Sequence, residues 1–95
     1  MYGGSHAVVY TDGACFNNGF YGARAGVGVW WGMGHYSNIS APAQGRQTNN
    51  SAEIEAATIA VQQAADMGLD SLTVITDSEF LISCQAGLVD IINVF

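Results

Sequence analysis

Two apolar stretches of this chain end in the same short motif, and this repetition limits the folds that the chain can adopt. Residues 8–13 read VVYTDG and residues 72–78 read LTVITDS. β-branched and aromatic side chains pack well on a pleated surface, so each stretch predicts a buried β-strand. Asp12 and Asp77 then lie at the carboxyl ends of these two predicted strands. Asp-Gly is also ordinary turn chemistry, so a simple strand end is the more ordinary explanation of Asp12 when it is taken singly.

The strands around these motifs can be placed by periodicity. The first strand should cover about residues 6–11. Residues 25–33 alternate small and large side chains, which predicts a second strand, and residues 35–40 can form a third, antiparallel one. We expect strands two and three to lie antiparallel outward from strand one, and strands one and four to be parallel neighbours. A fourth strand is expected over 72–76.

Between the third and fourth strands, residues 51–68 have the period of a helix. The apolar stripe predicted for its buried face is Ile54, Ala57, Thr58, Val61, Ala65 and Gly68. Glu53 should lie on the flank of this stripe, Glu55 should point toward water, and Gly68 should end the helix. A short second helix is expected to begin near Ser78. The order β-β-β-α-β-α indicates an α/β domain with a mixed sheet.

The composition indicates one globular domain that has little positive charge. The chain has 95 residues, of which 49% are hydrophobic and 11% charged, and its formal net charge is −6. It contains no lysine, and its only arginines are Arg24 and Arg46. A protein that binds nucleic acid mainly by neutralising phosphates needs more positive charge. If nucleic acid is the partner, polar groups, metal ions or a part beyond this sequence must hold it.

The cysteines and the apolar segments indicate an intracellular protein outside the membrane. Cys15 and Cys84 are far apart and belong to no zinc-binding pattern, so reduced thiols are expected. No segment has the roughly 18 continuous apolar residues of a membrane span. The N-terminus lacks the basic and apolar regions of a signal peptide.

Three carboxylates should meet at one edge of the sheet. If strands one and four are parallel neighbours, Asp12 and Asp77 lie side by side, and the crossover helix brings Glu53 to them. Such oxygen ligands favour Mg²⁺ or Mn²⁺. Two structural explanations remain open: Asn50 and Glu53 could form a capping box, and Asp77 could cap the helix after it. The spacing does not decide between them.

The motifs together resemble the cellular (type 1) ribonuclease H domain, especially its eukaryotic form. The matching segments are YTDGAC, an asparagine at position 18, GVGVWWG, GRQTNNSAEIEA and VITDSEFLI, in order over about residues 7–83. The resemblance implies a ribonuclease H-like α/β fold. It also implies cleavage of the RNA strand of RNA–DNA hybrids by two divalent metal ions and an activated water, leaving a 3′-hydroxyl and a 5′-phosphate.

The resemblance also implies which residues hold the metal ions. Asp12 would bridge both Mg²⁺ ions, with Mn²⁺ as a possible substitute. Glu53 and Asp77 would complete the site that stabilises the leaving oxygen.

A second group of residues matches the family's contacts to the hybrid. Asn18, Asn49 and Asn50 resemble the minor-groove readers, which recognise sugar 2′-hydroxyls and base edges. Arg46 and Thr48 fall where the family binds a phosphate of the DNA strand. Thr48, Asn49 and Asn50 would also suit the start of any helix.

After Ile82 the resemblance fails, so we interpret residues 1–83 as a partial domain and 84–95 as a divergent apolar tail. The last strand, the later basic contacts and the final helices, one of which carries a fourth metal-binding aspartate, are expected to be missing. Asp90 is the only carboxylate in the tail. Removing one oriented group from an active site costs roughly 10²–10³ in rate. We therefore expect cleavage at least about a hundredfold slower than that of a complete domain, and an exposed sheet over which the tail folds back.

Three functions are compatible with these features. The chain could be a metal-dependent nuclease, a module that binds RNA–DNA hybrids without cutting them, or a partly folded product with no activity. In each case we expect a monomer with no membrane contact, acting in the nucleus, the mitochondrion or the cytoplasm.

Overall fold

A mixed five-stranded sheet with one helix forms the part of the chain that the computed structural model describes, residues 5–78 and 89–93. The elements follow in the order β1 (His6–Phe16), β2 (Arg24–Trp30), β3 (Ile39–Pro42), α1 (Asn49–Asp66), β4 (Ser71–Thr76) and β5 (Val89–Asn93). The strands are arranged β3-β2-β1-β4-β5. Among the described residues, no helix combines the length and the hydrophobicity that a bilayer crossing requires.

The predicted neighbours in the sheet are confirmed. β1 and β4 pair in parallel, from His6 opposite Ser71 to Tyr10 opposite Ile75. β1 pairs antiparallel with β2, and β2 pairs antiparallel with β3. The fold is therefore the expected ribonuclease H-like α/β arrangement, and the two Thr-Asp motifs lie on adjacent strands.

The sequence predicted that Asp12 ends its strand, and this prediction is wrong. β1 continues to Phe16, because its second half keeps an antiparallel partner in β2: Asp12 lies opposite Gly28, and Phe16 opposite Arg24. Only the parallel pairing with β4 stops, at Tyr10. Asp12 therefore lies inside a continuous strand, just beyond the point where β4 ends.

The predicted bounds of the second and third strands were also wrong. β2 ends at Trp30, and residues 35–38 form turns, so β3 begins only at Ile39. Two backbone bonds close these turns, from His35 N to Gly32 O and from Asn38 N to His35 O. The Asn38 side chain also accepts a hydrogen bond from Trp31 N at 2.6 Å, which holds the end of β2 in the turn.

The helix is where it was predicted, but it buries a different face. Its buried side chains are Ala52, Glu53, Ala56, Ala57, Ala60 and Ala64, whereas most of the predicted stripe, including Ile54 and Val61, is exposed. Alanines let the helix axis approach the sheet closely, over a core formed by Val9, Val29 and Val74. Gly68 follows the C-cap residue Met67 in the left-handed conformation, with φ of 75°, as expected of a terminating glycine.

The expectation that the last strand is missing is wrong. Val89–Asn93, which the sequence interpretation placed in a divergent tail, forms β5 and pairs in parallel with β4. The strand forms because Val89 and Ile91 pack against the hydrophobic core, which covers the flank of β4. The short helix predicted from near Ser78 lies outside the described residues. The opposite face of the sheet is open, as expected, with Val8, Tyr10, Trp30 and Ile92 exposed.

Candidate active site

The three predicted carboxylates lie together at one place on the sheet. Asp12 comes from β1, Asp77 follows the last residue of β4, and Glu53 projects from the second turn of α1. One oxygen from each lies within 4.8 Å of the others. Asp12 and Asp77 are exposed, whereas Glu53 is only 6% exposed. The cluster is therefore open to solvent on one side and closed on the other.

Glu53 is held by the backbone of β1 and by the side chain at the end of β4. The Gly13 N–H donates a hydrogen bond to Glu53 Oε1. The Thr76 hydroxyl lies 3.5 Å from Glu53 Oε2, at the outer limit of a hydrogen bond. These contacts fix the carboxylate between the same two strands that carry the aspartates.

Gly13 makes this approach possible because it has no side chain. A Cβ at that position would lie 2.4 Å from Ala52 C and 2.4 Å from Glu53 N, closer than atoms can pack. A glycine follows Asp12 because only a residue without a side chain lets β1 and α1 approach this closely. The turn explanation of Asp12-Gly13 is wrong.

The capping explanation of Glu53 is also wrong. Thr48 is the N-cap residue of α1, and its hydroxyl accepts a hydrogen bond from Ser51 N at 3.2 Å. Glu53 instead points into the carboxylate cluster and bonds to Gly13. The other explanation, in which Asp77 caps a following helix, concerns residues outside the described range.

The electrostatics of the cluster favour a bound cation. Burial is the main cause that raises the pKa of Glu53, and the charges of Asp77 and Asp12 raise it further. Hydrogen bonds from Gly13 and Ser78 act in the opposite direction. Three carboxylates this close repel one another, and a divalent cation among them would remove that repulsion. An all-oxygen ligand set suits hard cations such as Mg²⁺ or Mn²⁺.

The predicted nucleic-acid contacts form a second group, at the N-terminus of α1. Asn18, in the loop after β1, accepts a hydrogen bond from Asn49 N at 2.8 Å through its side-chain oxygen. The Asn49 side-chain oxygen in turn accepts one from Cys15 N at 2.7 Å. The oxygens of both amides are thus used to join the loop to the helix, whereas their NH₂ groups bond to none of the described residues and can donate to a ligand.

Arg46 and Asn50 flank this group, and both are exposed. No ion pair holds the Arg46 or Arg24 guanidinium within the described part of the chain. One short segment, which begins before α1 and enters its first turn, therefore carries Arg46, Thr48, Asn49 and Asn50.

Sequence reasoning missed two residues that hold this segment. Gln47 accepts a hydrogen bond from Ala25 N at 2.6 Å and donates to Ala43 O at 3.0 Å. Glu55, expected to point toward water, accepts hydrogen bonds from Gln44 N at 2.8 Å and Gly45 N at 2.9 Å. Loop carbonyls and N–H groups need such partners, but the sequence does not show which side chain reaches them.

Comparison with known proteins identifies the same family over nearly the whole chain. The family model described as RNase H matches residues 4–92. Ribonuclease H1 of Homo sapiens is 49% identical over 82 residues, which are 86% of this chain and 29% of that protein. Ribonuclease H of Schizosaccharomyces pombe is 42% identical over 76 residues, 79% of this chain and 27% of that protein.

A solved structure supports the same fold. A foamy viral protease-reverse transcriptase in complex with dsDNA matches with a TM-score of 0.63 and 27% identity, over 81% of this chain and 50% of that one. The chain thus spans less than a third of the length of these curated relatives and half of the viral chain.

Proposed function

Because the chain belongs to the ribonuclease H family, we propose that it hydrolyses the RNA strand of RNA–DNA hybrids with the help of divalent metal ions. The observation that carries this proposal is the cluster of Asp12, Glu53 and Asp77, with carboxylate oxygens within 4.8 Å of one another. An ion pair that stabilises a fold joins opposite charges, so ion pairing does not explain a cluster of three carboxylates.

The three carboxylates have distinct roles in the proposed reaction. Asp12, which lies within β1 and is open to solvent, would contribute to holding both Mg²⁺ ions. Glu53 and Asp77 would hold the ion on the leaving-group side. Bound cations would supply the charge that activates a water and stabilises the leaving oxygen. Gly13 keeps Glu53 in position throughout, through its backbone N–H.

The polar residues at the start of α1 would hold the hybrid. The side-chain NH₂ groups of Asn18 and Asn49, together with Asn50, can donate to 2′-hydroxyls and base edges in the wide minor groove. Arg46 and Thr48 would bind a phosphate of the DNA strand, which fixes the RNA strand against the carboxylates. This mode of binding needs few positively charged side chains, which fits a chain with two arginines and no lysine.

A cleavage assay tests the proposal. The purified chain, with Mg²⁺, should cut the labelled RNA strand of a hybrid and should leave the matching RNA–RNA and DNA–DNA duplexes intact. Asp12→Asn should reduce cleavage by at least about 10²-fold, the usual cost of losing one oriented electrostatic group. Asp66→Asn, at the exposed end of α1, removes the same charge far from the cluster and is the control. Equal loss in both variants would contradict the assignment of Asp12.

The second candidate is a module that binds hybrids without cutting them. It is favoured by one observation: the hydrogen bonds that hold Asn18 and Asn49 together at the start of α1 involve none of the three carboxylates. Binding of the hybrid with no cleavage in Mg²⁺ or Mn²⁺ would establish it.

We further propose that the chain is a monomer acting in the nucleus, the mitochondrion or the cytoplasm. Sedimentation would test the oligomeric state, and localisation of a tagged chain would test the compartment.

A further inference from the structure

Three aromatic side chains at the end of the β1–β2 hairpin belong to no part of the proposed site. Phe16 is 73% exposed, Phe20 76% exposed, and Tyr21 fully exposed. We call these three residues the aromatic patch. Large apolar side chains are usually buried, and several of them exposed together mark a surface that contacts another molecule.

The backbone presents the aromatic patch in a defined arrangement. Two successive turns form the loop, closed by hydrogen bonds from Phe20 N to Asn17 O at 2.9 Å and from Ala23 N to Phe20 O at 3.1 Å. Asn18 lies in the first turn, and its side chain binds Asn49 at the start of α1. The aromatic patch therefore lies at and next to the loop that carries Asn18, one of the residues proposed to bind the hybrid.

The segment of sequence that contains the aromatic patch also contains the positive charges of the chain. Residues 13–52 contain both arginines and none of the eight acidic residues. Arg24 lies directly opposite Phe16 in the β1–β2 pairing. A groove of about 730 Å³ is lined by Phe16 and Arg24 at one end and reaches Asp12. An aromatic ring beside a guanidinium, along a groove that leads to the carboxylates, suits a flat ring linked to a phosphate.

We propose that the aromatic patch and Arg24 bind an unpaired nucleotide that extends from the end of an RNA–DNA hybrid. Bases inside a duplex are covered by their neighbours, whereas an unpaired base exposes its faces for stacking on a side chain. Stacking needs no positive charge, which matters for a chain of net charge −6. This inference rests on the proposed function and narrows its substrates to hybrids that adjoin single-stranded nucleic acid.

The test compares hybrids with and without unpaired ends. Fluorescence anisotropy would measure binding to a blunt hybrid and to the same hybrid extended by a few nucleotides at each RNA or DNA end in turn. The chain would carry Asp12→Asn, so that the RNA stays intact in Mg²⁺. At least one extended hybrid should bind at least about fivefold more tightly than the blunt one, the gain expected from a single base–aromatic stack. A 2-aminopurine in the extension should lose fluorescence on binding.

Variants of the aromatic patch identify the source of this preference. Phe16→Ala, which removes the ring that lines the groove beside Arg24, and the double variant Phe20→Ala with Tyr21→Ala should each reduce the preference and the fluorescence change, while affinity for the blunt hybrid stays the same. Phe20→Tyr with Tyr21→Phe should keep them, because both rings remain. Tyr36→Ala, which removes an equally exposed ring from the β2–β3 connection, is the matched control and should have no effect.

Other results would overturn the inference. If the extended hybrids bind no better than the blunt one, or if Tyr36→Ala is as damaging as the double variant, the aromatic patch binds no unpaired base. If the double variant instead abolishes concentration-dependent self-association in sedimentation, the patch contacts a second copy of the chain. Normal binding of the blunt hybrid in these cases would leave the proposed function intact. Failure to bind any hybrid would remove the proposed function and this inference together.

Discussion

At the scale of single residues, the cluster shows how a side chain can be costly to the fold and necessary for a site. Glu53 is buried beside two other carboxylates, and its pKa is raised above the ordinary value of 4.5. The folded chain therefore holds the proton of Glu53 more tightly than the unfolded chain. This tighter binding adds to the free energy of unfolding. The contribution has its full value below about pH 4.5 and is lost as pH rises through the pKa of Glu53 in the folded chain.

Glu53→Gln should therefore stabilise the metal-free chain. Glutamine keeps an oxygen for the Gly13 N–H but removes the charge, so the melting temperature at pH 7 should rise by a few degrees. The gain should vanish below about pH 4.5, where glutamate is protonated in both states. It should also shrink when Mg²⁺ is added to the parent chain. Glu55→Gln, which weakens bonds to Gln44 and Gly45, should instead lower the melting temperature. The same rise in both variants would contradict the argument.

A second prediction at this scale concerns Gly13. Gly13→Ala should destabilise the chain by about 1–3 kcal/mol or more, because the methyl group would overlap the backbone of Ala52 and Glu53. For a domain of this size, that lowers the melting temperature by roughly 4–8 °C per kcal/mol. Gly26→Ala, whose Cβ would meet Ala41 O at an ordinary 3.6 Å, should leave it almost unchanged. Thermal denaturation of both variants checks this difference.

At the scale of elements, the sequence predicted the helix but not its buried face. Ile54 and Val61 dominate any count of apolar positions, yet the helix turns its alanines toward the sheet. The close contact at Gly13 decides the orientation, since a large side chain on the inner face would keep Glu53 away from the aspartates. Periodicity measures hydrophobicity along one helix and carries no information about how near the partner must be.

This orientation predicts opposite effects for neighbouring substitutions. Ala60→Leu enlarges a side chain that is 0% exposed and should destabilise the chain by about 1–3 kcal/mol. Val61→Ala removes a larger apolar group from the next position, but this side chain is exposed, so the change should stay within about 0.5 kcal/mol. Urea denaturation measures both. A greater loss for Val61→Ala would mean that the predicted stripe is the packed face after all.

At the scale of the whole molecule, the sequence predicted the order of β1 to β4 and the place of the carboxylates. The parallel pairing of β1 with β4 and the meeting of the carboxylates followed from the two Thr-Asp motifs, whose strands must be neighbours if Asp12 and Asp77 are to lie together. β5 was missed because the family motifs end at about residue 83, whereas a strand needs only backbone partners and apolar side chains. Val89 and Ile91 supply these side chains, and the open flank of β4 supplies the partners.

β5 should contribute measurably to stability. Ile91 packs against the core and pairs with Val74, whereas its neighbour Ile92 is 50% exposed on the other face. Ile91→Ala should cost about 2–3 kcal/mol, near the lower end of values for buried isoleucines, and Ile92→Ala clearly less. Equal effects in denaturant titrations would indicate that β5 does not cover β4 in solution.

The pairing of β1 with β4 also has a consequence for how the chain is made. His6 bonds to Ser71 across 65 positions of sequence, and the cluster needs Asp77 as well as Asp12. During synthesis the β1–β2 hairpin can form early, but the central parallel pair must wait until residue 77 has left the ribosome. Contacts of such long sequence separation form slowly. The carboxylate cluster of a growing chain therefore stays incomplete until β4 and Asp77 have emerged and paired with β1.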